Sequence, residues 1–218
     1  MPKEKPDLQT ERALSALLQQ LRSGELAGGT FLSMPMLVES LDMPISSVRE
    51  AVKRAEATGL LTILPKRGIM VMDAGPETTR DCLELRAMFD CEGARCLIER
   101  GSEMPLGALR QSHESLLKEA EQEAFPDLSP RAISTDLLLH DTLAAGIGSQ
   151  LAARLYAENR DRIAIIQNSR PFLPARIVSA MREHLDIIAA LEARDVSAAH
   201  DAIRTHLRNT LGWWGVQS

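Results

Sequence analysis

The stretch SSVREAVKRAEATGLLTILPKRGIMVM, residues 46–72, changes its period half way along. In its first part Val48, Val52, Ala55 and Ala57 recur at helical spacing, and Gly59 closes the run. The second part reads differently. Leu60–Leu64 and Gly68–Met72 are short β-prone runs joined by Pro65-Lys66-Arg67-Gly68, a hairpin with basic residues at its tip. Upstream, Leu8, Leu14, Leu17, Leu18 and Leu21 line a helix running to about Ser23. Ser33 caps a short helix through Met36, Leu37, Val38 and Leu41, and the turn from Asp42 to Ile45 leads into a third helix opened by Ser46 or Ser47. Three short helices followed by a two-stranded wing make a winged helix-turn-helix, expected over residues 1–72. The competing reading is a small α+β domain with no nucleic-acid role.

Charge placement favours the DNA reading. Arg49, Lys53 and Arg54 fall on the third helix and Lys66 and Arg67 on the wing, the two elements that would face one groove. The net charge of −5 divides unevenly along the chain. Residues 1–72 hold 9 Lys/Arg against 8 Asp/Glu, hence +1; the rest hold 16 against 22, hence −6. A reader with one basic face fits that balance. A protein that coats nucleic acid by net charge does not.

Asp73-Ala74-Gly75-Pro76 opens a linker, taken as residues 73–79, and from 80 to 218 only helical signals follow. Aromatics make up 3% of the chain while Ala and Leu abound, which suits helix. Helices are expected over about 78–100, 105–123, 130–146, 149–167, 174–192 and 196–211, with Asp195 capping the last. Six amphipathic helices on short links imply an antiparallel bundle. No stretch approaches 18 consecutive apolar residues, so no membrane span is expected. The opening MPKEKPDLQT lacks the apolar segment of a secretory signal, and Cys82, Cys91 and Cys96 are an odd number with no disulfide framework. Both point to a cytoplasmic protein.

Polar residues interrupt the apolar stripes of three of these helices. Asp136 and His140 are one turn apart, with Leu143 continuing their face. His184 stands among Ile177, Met181 and Ile188, and His206 among Ala199, Ile203 and Thr210. Inward polar groups from several helices are how bundles build metal sites, and three imidazoles with one carboxylate suit zinc, nickel, manganese or iron. The alternative is a buried polar network or ordinary core histidines. His200 competes with His206, since it too lies one turn from Ile203 and two turns from Leu207; His113, set among Gln111, Ser112 and Glu114, reads as a surface residue.

The N-terminal stretch resembles the GntR winged-helix domain, through Leu32-Ser33, Leu37, Glu39, Leu41, Ser47-Val48-Arg49-Glu50-Ala51-Val52, Glu56-Ala57-Thr58-Gly59-Leu60-Leu61 and Pro65 to Val71. The remainder resembles the FCD ligand-binding domain of the FadR-type branch, through Glu84-Leu85-Arg86, Asp136-x-x-x-His140, Glu183-His184, Asp195 with Ala198-Ala199, and His206-Leu207. The resemblance implies a homodimeric regulator of a double-stranded, pseudo-palindromic DNA operator, with a small carboxylate effector bound beside a divalent metal. It implies Asp136, His140, His184 and His206 as metal ligands, choosing His206 over His200. It also makes Arg86 a partner for the effector carboxylate, the alternative being a salt bridge within the bundle. DNA contacts fall to Ser46, Ser47, Arg49, Lys53, Lys66, Arg67 and the Gly68 backbone. One departure matters: arginines usual early in the second helix and at the start of the third are replaced by Pro35 and Ile45. Two further readings stay open at this stage, a regulator for which the ion is the signal and a metal-dependent hydrolase.

Overall fold

The structure is a computed structural model that describes residues 6–122, 128–170 and 172–216, the side chains of Pro6 and Asp7 excepted. It is mostly helical, with one small antiparallel sheet. The chain divides into two compact units, residues 1–74 with 161–170, and residues 75–160 with 171–218.

The first unit contains α1 (Pro6–Ser23), β1 (Phe31–Leu32), α2 (Met34–Leu41), α3 (Ile45–Ala57), β2 (Leu61–Leu64) and β3 (Gly68–Val71). Ser33 caps α2 as expected, its Oγ accepting from Met36 N at 3.3 Å. The third helix starts one residue earlier than its serines suggest, with Pro44 at its N-cap. Its inward stripe is Val48, Ala51, Val52 and Ala55; Ala57, expected inside, is exposed because two residues past Ala55 the helix has turned to its other side. These residues close a core with Ala13, Leu17 and Leu21 of α1, Leu37 and Leu41 of α2, and Leu60, Ile69 and Val71 of the wing. The hairpin is a three-stranded sheet in order β1-β3-β2, with Leu61 opposite Val71 and Leu32 opposite Ile69.

At the wing tip Arg67 N donates to Leu64 O at 3.0 Å, so Pro65 and Lys66 are the two middle residues of a tight turn. Lys66 has φ 63°, a left-handed conformation that a lysine adopts at some cost. Gly68 follows at φ 118°, and a Cβ there would stand 2.7 Å from the Leu32 carbonyl oxygen. The third strand therefore reaches β3 only because residue 68 has no side chain.

The second unit is built from α4 (Pro76–Glu99), α5 (Leu106–Glu121), α6 (Ser129–Ala145), the first part of α7 (Gln150–Asn168), α8 (Pro174–Glu192) and α9 (Val196–Trp213). All six expected helices form, and Asp195 caps α9 by accepting from Ala198 N at 3.0 Å. Helix α8 packs on α5, α9 and α6, and α4 packs on α9 and α6. Leu139, Leu143, Ile187, Ile188, Leu191 and Ile203 form its main core. The remainder of α7 groups with the first unit, where Ile165 joins the core and Asp161 accepts from Arg22 Nε at 2.6 Å and Nη2 at 3.0 Å. The chain pattern gave no sign that one helix serves two units. Among the described residues no helix is long and apolar enough to cross a membrane.

Gly93 decides how near α4 approaches α6: a Cβ there would sit 1.9 Å from the Leu143 carbonyl oxygen, inside the backbone itself. Gly93→Ala should therefore destabilise the protein by at least about 2–3 kcal/mol in urea unfolding. Gly107→Ala, where an added Cβ meets nothing within 4 Å, should leave stability equal or raise it by about 0.5–1 kcal/mol.

Candidate metal centre

Asp136 and His140 project from α6, His184 from α8 and His206 from α9, and all four are buried. Each arrives by the same local logic, a polar residue placed on the inward stripe of an amphipathic helix. Their ligand atoms lie within 4.8 Å of one another. Asp136 Oδ1 is 3.4 Å from His184 Nε2 and 3.7 Å from His140 Nε2, and His184 Nε2 is 3.3 Å from His206 Nε2. Four N/O ligands held about 2.0–2.1 Å from a tetrahedral ion stand about 3.4 Å apart, so these separations fit a first-row divalent metal. The structure sets His200 elsewhere, its Nε2 lying 3.0 Å from the Cys91 carbonyl oxygen.

The outer ring nitrogens are also arranged. His140 Nδ1 lies 2.8 Å from Asp90 Oδ2 and His206 Nδ1 lies 2.7 Å from Glu183 Oε2. A ring that donates its Nδ1–H to a carboxylate keeps its Nε2 lone pair for an ion, the usual outer support of histidine ligands. His140 Nε2 is buried with no hydrogen-bond partner. An unsatisfied buried lone pair is costly, and an ion at this point would satisfy it. Glu183 is held in turn by Arg176, whose Nη1 lies 3.2 Å from Oε1. It also lines an open cleft of about 510 Å³ between α8 and α9, together with Ser179, Arg208, Asn209 and Trp213.

Arg86 is 3% exposed and reaches into the cluster from α4, with Nη1 3.1 Å from Asp136 Oδ2 and Nη2 3.2 Å from His206 Nε2. The salt-bridge reading of Arg86 is thus realised, at the centre itself. Burial works against the charge on Asp136, but Arg86 and His140 outweigh it and hold the carboxyl well below its usual range. Burial pushes His184 well below the usual imidazole range, helped by the neighbouring His206, and pushes His206 down likewise, helped by Arg86 and His140. His140 is pulled down by burial and Arg86, yet Asp90 and Asp136 prevail and raise it.

His113, read from sequence as a surface residue, is fully buried. Its ring stands edge-on to His184 at 5.2 Å, and Nδ1 lies 2.6 Å from the Leu109 carbonyl oxygen. Its polar sequence neighbours Gln111 and Glu114 are indeed exposed; position 113 shares instead the inward stripe of Leu109, Leu116 and Ala120, a spacing that was available to see. Asp90, one turn after Arg86 on the face of Leu83, Ala87 and Ala94, carried the same overlooked signal.

In the first unit the expected DNA-contacting residues divide. Ser46, Arg49 and Lys53 are exposed on α3, and Lys66 and Arg67 are exposed at the wing tip. Ser47 is 4% exposed and belongs to the inner side of α3, one residue off the outward face. Gly68 is half-buried within β3. Lys53 Nζ lies 3.6 Å from Glu50, and Arg54 is tied to Glu11 at 2.6 Å. Pro35 and Ile45 are both exposed, Ile45 at 52%.

A winged helix with basic side chains on its third helix and wing, on one chain with a helical bundle around a buried polar centre, defines the class of two-part transcriptional regulators. Residues 9–71 match the gntR family of bacterial regulatory proteins and residues 81–209 match the FCD domain, so the chain belongs to the GntR family and carries an FCD domain. It is similar to the uncharacterized HTH-type transcriptional regulator BphR of Paraburkholderia xenovorans (strain LB400), 25% identical over 210 residues, covering 91% of this chain and 83% of the relative. A second relative is an uncharacterized HTH-type transcriptional regulator in an unstable DNA locus of Streptomyces ambofaciens, 26% identical over 198 residues, with coverages of 88% and 79%. Among solved structures, E. coli McbR/YncC has the same fold, with a TM-score of 0.76 at 19% identity over 94% of this chain and 96% of that one. A GntR transcriptional regulator from Rhodococcus sp. RHA1 also gives 0.76 at 19% identity, over 96% and 99%. The protein is therefore a DNA-binding transcriptional regulator.

The histidine shifts set a pH window. Burial lowers His113, His184 and His206, so below about 6.5 the unfolded chain binds protons that these rings refuse in the folded protein. Stability of chelator-treated protein should fall as pH drops from 6.5, on the order of 1.4 kcal/mol per pH unit for each ring kept neutral. The raised His140 acts above that window: its contribution is complete below about 6.5 and is lost as pH rises through its folded value. Urea midpoints at pH 7.5, 6.5 and 5.5 test this; a midpoint that holds steady or rises in acid contradicts it.

Proposed function

We propose that Asp136, His140, His184 and His206 hold a divalent transition ion (zinc, nickel, manganese or iron), and that a small organic acid bound beside it modulates the affinity of the regulator for its operator. The observation that carries this reading is the convergence of four buried ligand atoms within 4.8 Å, two of them on rings oriented by Asp90 and Glu183. A bound ion supplies a compact positive charge and open coordination positions for carboxylate oxygens. Arg86, at the same place, supplies donors for the effector carboxylate.

The functional division is a reader over 1–72, a linker shortened from the expected 73–79 to 73–75 because Pro76 already opens α4, and a sensing and dimerising domain over the helices that follow, which takes in the expected 80–218. Two chains pair through the bundles. Support comes from Met88 on α4, Leu138 on α6 and Leu151 and Leu155 on α7, large apolar side chains left exposed in the second unit. These three helices are neighbours, linked by the Phe89–Tyr156 ring contact and by Asp141, which accepts from Tyr156 and Arg160. The dimer presents two α3 helices to successive major grooves about 34 Å apart on a pseudo-palindromic operator. Ser46, Arg49 and Lys53 meet bases and adjacent phosphates, while Lys66, Arg67 and the Gly68 backbone reach the flanking groove. Ser47, being buried, supports the helix instead. Exposed Ile45 and Pro35 replace guanine-reading arginines with apolar surface, which suits thymine methyl groups.

Effector binding alters DNA affinity only if it favours one placement of the two readers over another. Fluorescence anisotropy at fixed salt, with DNA from the gene's own upstream region and a panel of small carboxylic acids, tests the coupling. An acid that binds tightly by calorimetry while operator affinity stays constant would overturn it. Operator binding that follows free metal alone would establish the ion itself as the signal.

Two variants separate reading from folding. Arg49→Ala should weaken specific binding by about 1–3 kcal/mol. Lys66→Gly relieves a left-handed lysine, so it should leave thermal stability equal or higher, while reducing the slope of log affinity against log salt by about one.

A further inference from the structure

We infer that Arg86 stands in for the ion's charge in the metal-free centre, and that loading the centre makes it release His206, which readies its Nη2 for one carboxylate. This rests on the metal reading proposed above. His206 Nδ1 lies 2.7 Å from Glu183 Oε2, so that nitrogen carries the proton and Nε2 carries the lone pair. Arg86 Nη2 lies 3.2 Å from the same Nε2. A lone pair that accepts from a guanidinium cannot also bind an ion, so the two compete for one atom.

Asp136 is in a different position. Arg86 Nη1 takes its Oδ2 at 3.1 Å, and its Oδ1 faces His184 and His140 at 3.4 and 3.7 Å. Its two oxygens serve the guanidinium and the ion separately. One Arg86 bond therefore survives loading and the other does not. The surviving bond anchors the guanidinium at the centre, so the freed Nη2 stays buried and lacks an acceptor. Such a donor strongly favours a ligand oxygen.

Charge points the same way. Among the described residues, the carboxylates in contact with the centre are Asp90, Asp136 and Glu183, and the guanidiniums are Arg86 and Arg176. With neutral imidazoles the set carries one negative charge in excess; a divalent ion turns this into one positive charge in excess. A single carboxylate then restores neutrality among buried groups, where an uncompensated charge is expensive. Metal and carboxylate thus bind with positive coupling through Arg86.

The test is calorimetric titration of chelator-stripped, full-length protein with zinc chloride, alone and against a competing chelator. Absence of zinc binding by the unmutated protein overturns the metal reading itself. Given that binding, Arg86→Met, which removes both the competing donor and the like charge, should bind zinc at least ~10-fold more tightly. Arg86→Lys keeps a cation able to hold Asp136 but loses the planar second donor; it should fold with the native circular dichroism spectrum and bind zinc several-fold more tightly. If Arg86→Met does not fold without metal, the Arg86→Lys titration decides. Zinc affinity equal to or below that of the unmutated protein, in whichever variant folds, overturns the inference and shows Arg86 to be only a scaffold for Asp136.

Discussion

A carboxylate sits inside a helical bundle, and the second unit is arranged around that fact. Asp136 on α6 is removed from water, which alone would suppress its charge. Arg86 from α4, His140 from its own helix and His184 from α8 reverse that outcome. Without such compensation a buried ionised carboxylate costs several kcal/mol, comparable to the whole stability of an ordinary domain. The helices that supply the compensation are the ones that pack on each other, so the centre and the core are made together.

Around this pair the histidines are differentiated by their outer partners. His140 and His206 each have a carboxylate at Nδ1, in Asp90 and Glu183. His184 has none; its Nδ1 is buried without a partner, and the ring of His113 lies edge-on beside it. Proton affinity divides them differently: Asp90 and Asp136 raise His140, while burial holds both His184 and His206 low. Rings kept neutral and aimed at one point, as His184 and His206 are, suit a cation better than a proton.

In the first unit the constraint is different and simpler. A core of Leu, Val and Ala closes α1, α2 and α3 over a three-stranded sheet. That leaves Arg49, Lys66 and Arg67 on the outside, with no ion pair holding them among the described residues. Unpaired basic side chains on a rigid scaffold suit a polyanionic partner. The apolar Ile45 is exposed at the head of α3, beside these basic side chains.

Much of this was legible along the chain. Helical spacing in α3 to α9, the change of period at Gly59, Ser33 and Asp195 as caps, and the inward placement of Asp136, His140 and His184 follow from local periodicity and capping chemistry. Such signals need only a few neighbouring residues. Other features needed partners far away in sequence: Arg86 meeting Asp136 and His206, Asp90 meeting His140, Gly93 admitting the Leu143 carbonyl, β1 adding to the wing at Gly68, and α7 serving two units. The histidines show the difference most plainly. Periodicity placed His184 and left His206 and His200 as equals, because both fall one turn from Ile203; packing against α8 turned one toward His184 and left the other at the Cys91 carbonyl. Sequence determines which side of a helix a residue occupies, through the 3.6-residue turn; tertiary packing decides what that side faces, because the facing atoms belong to another helix.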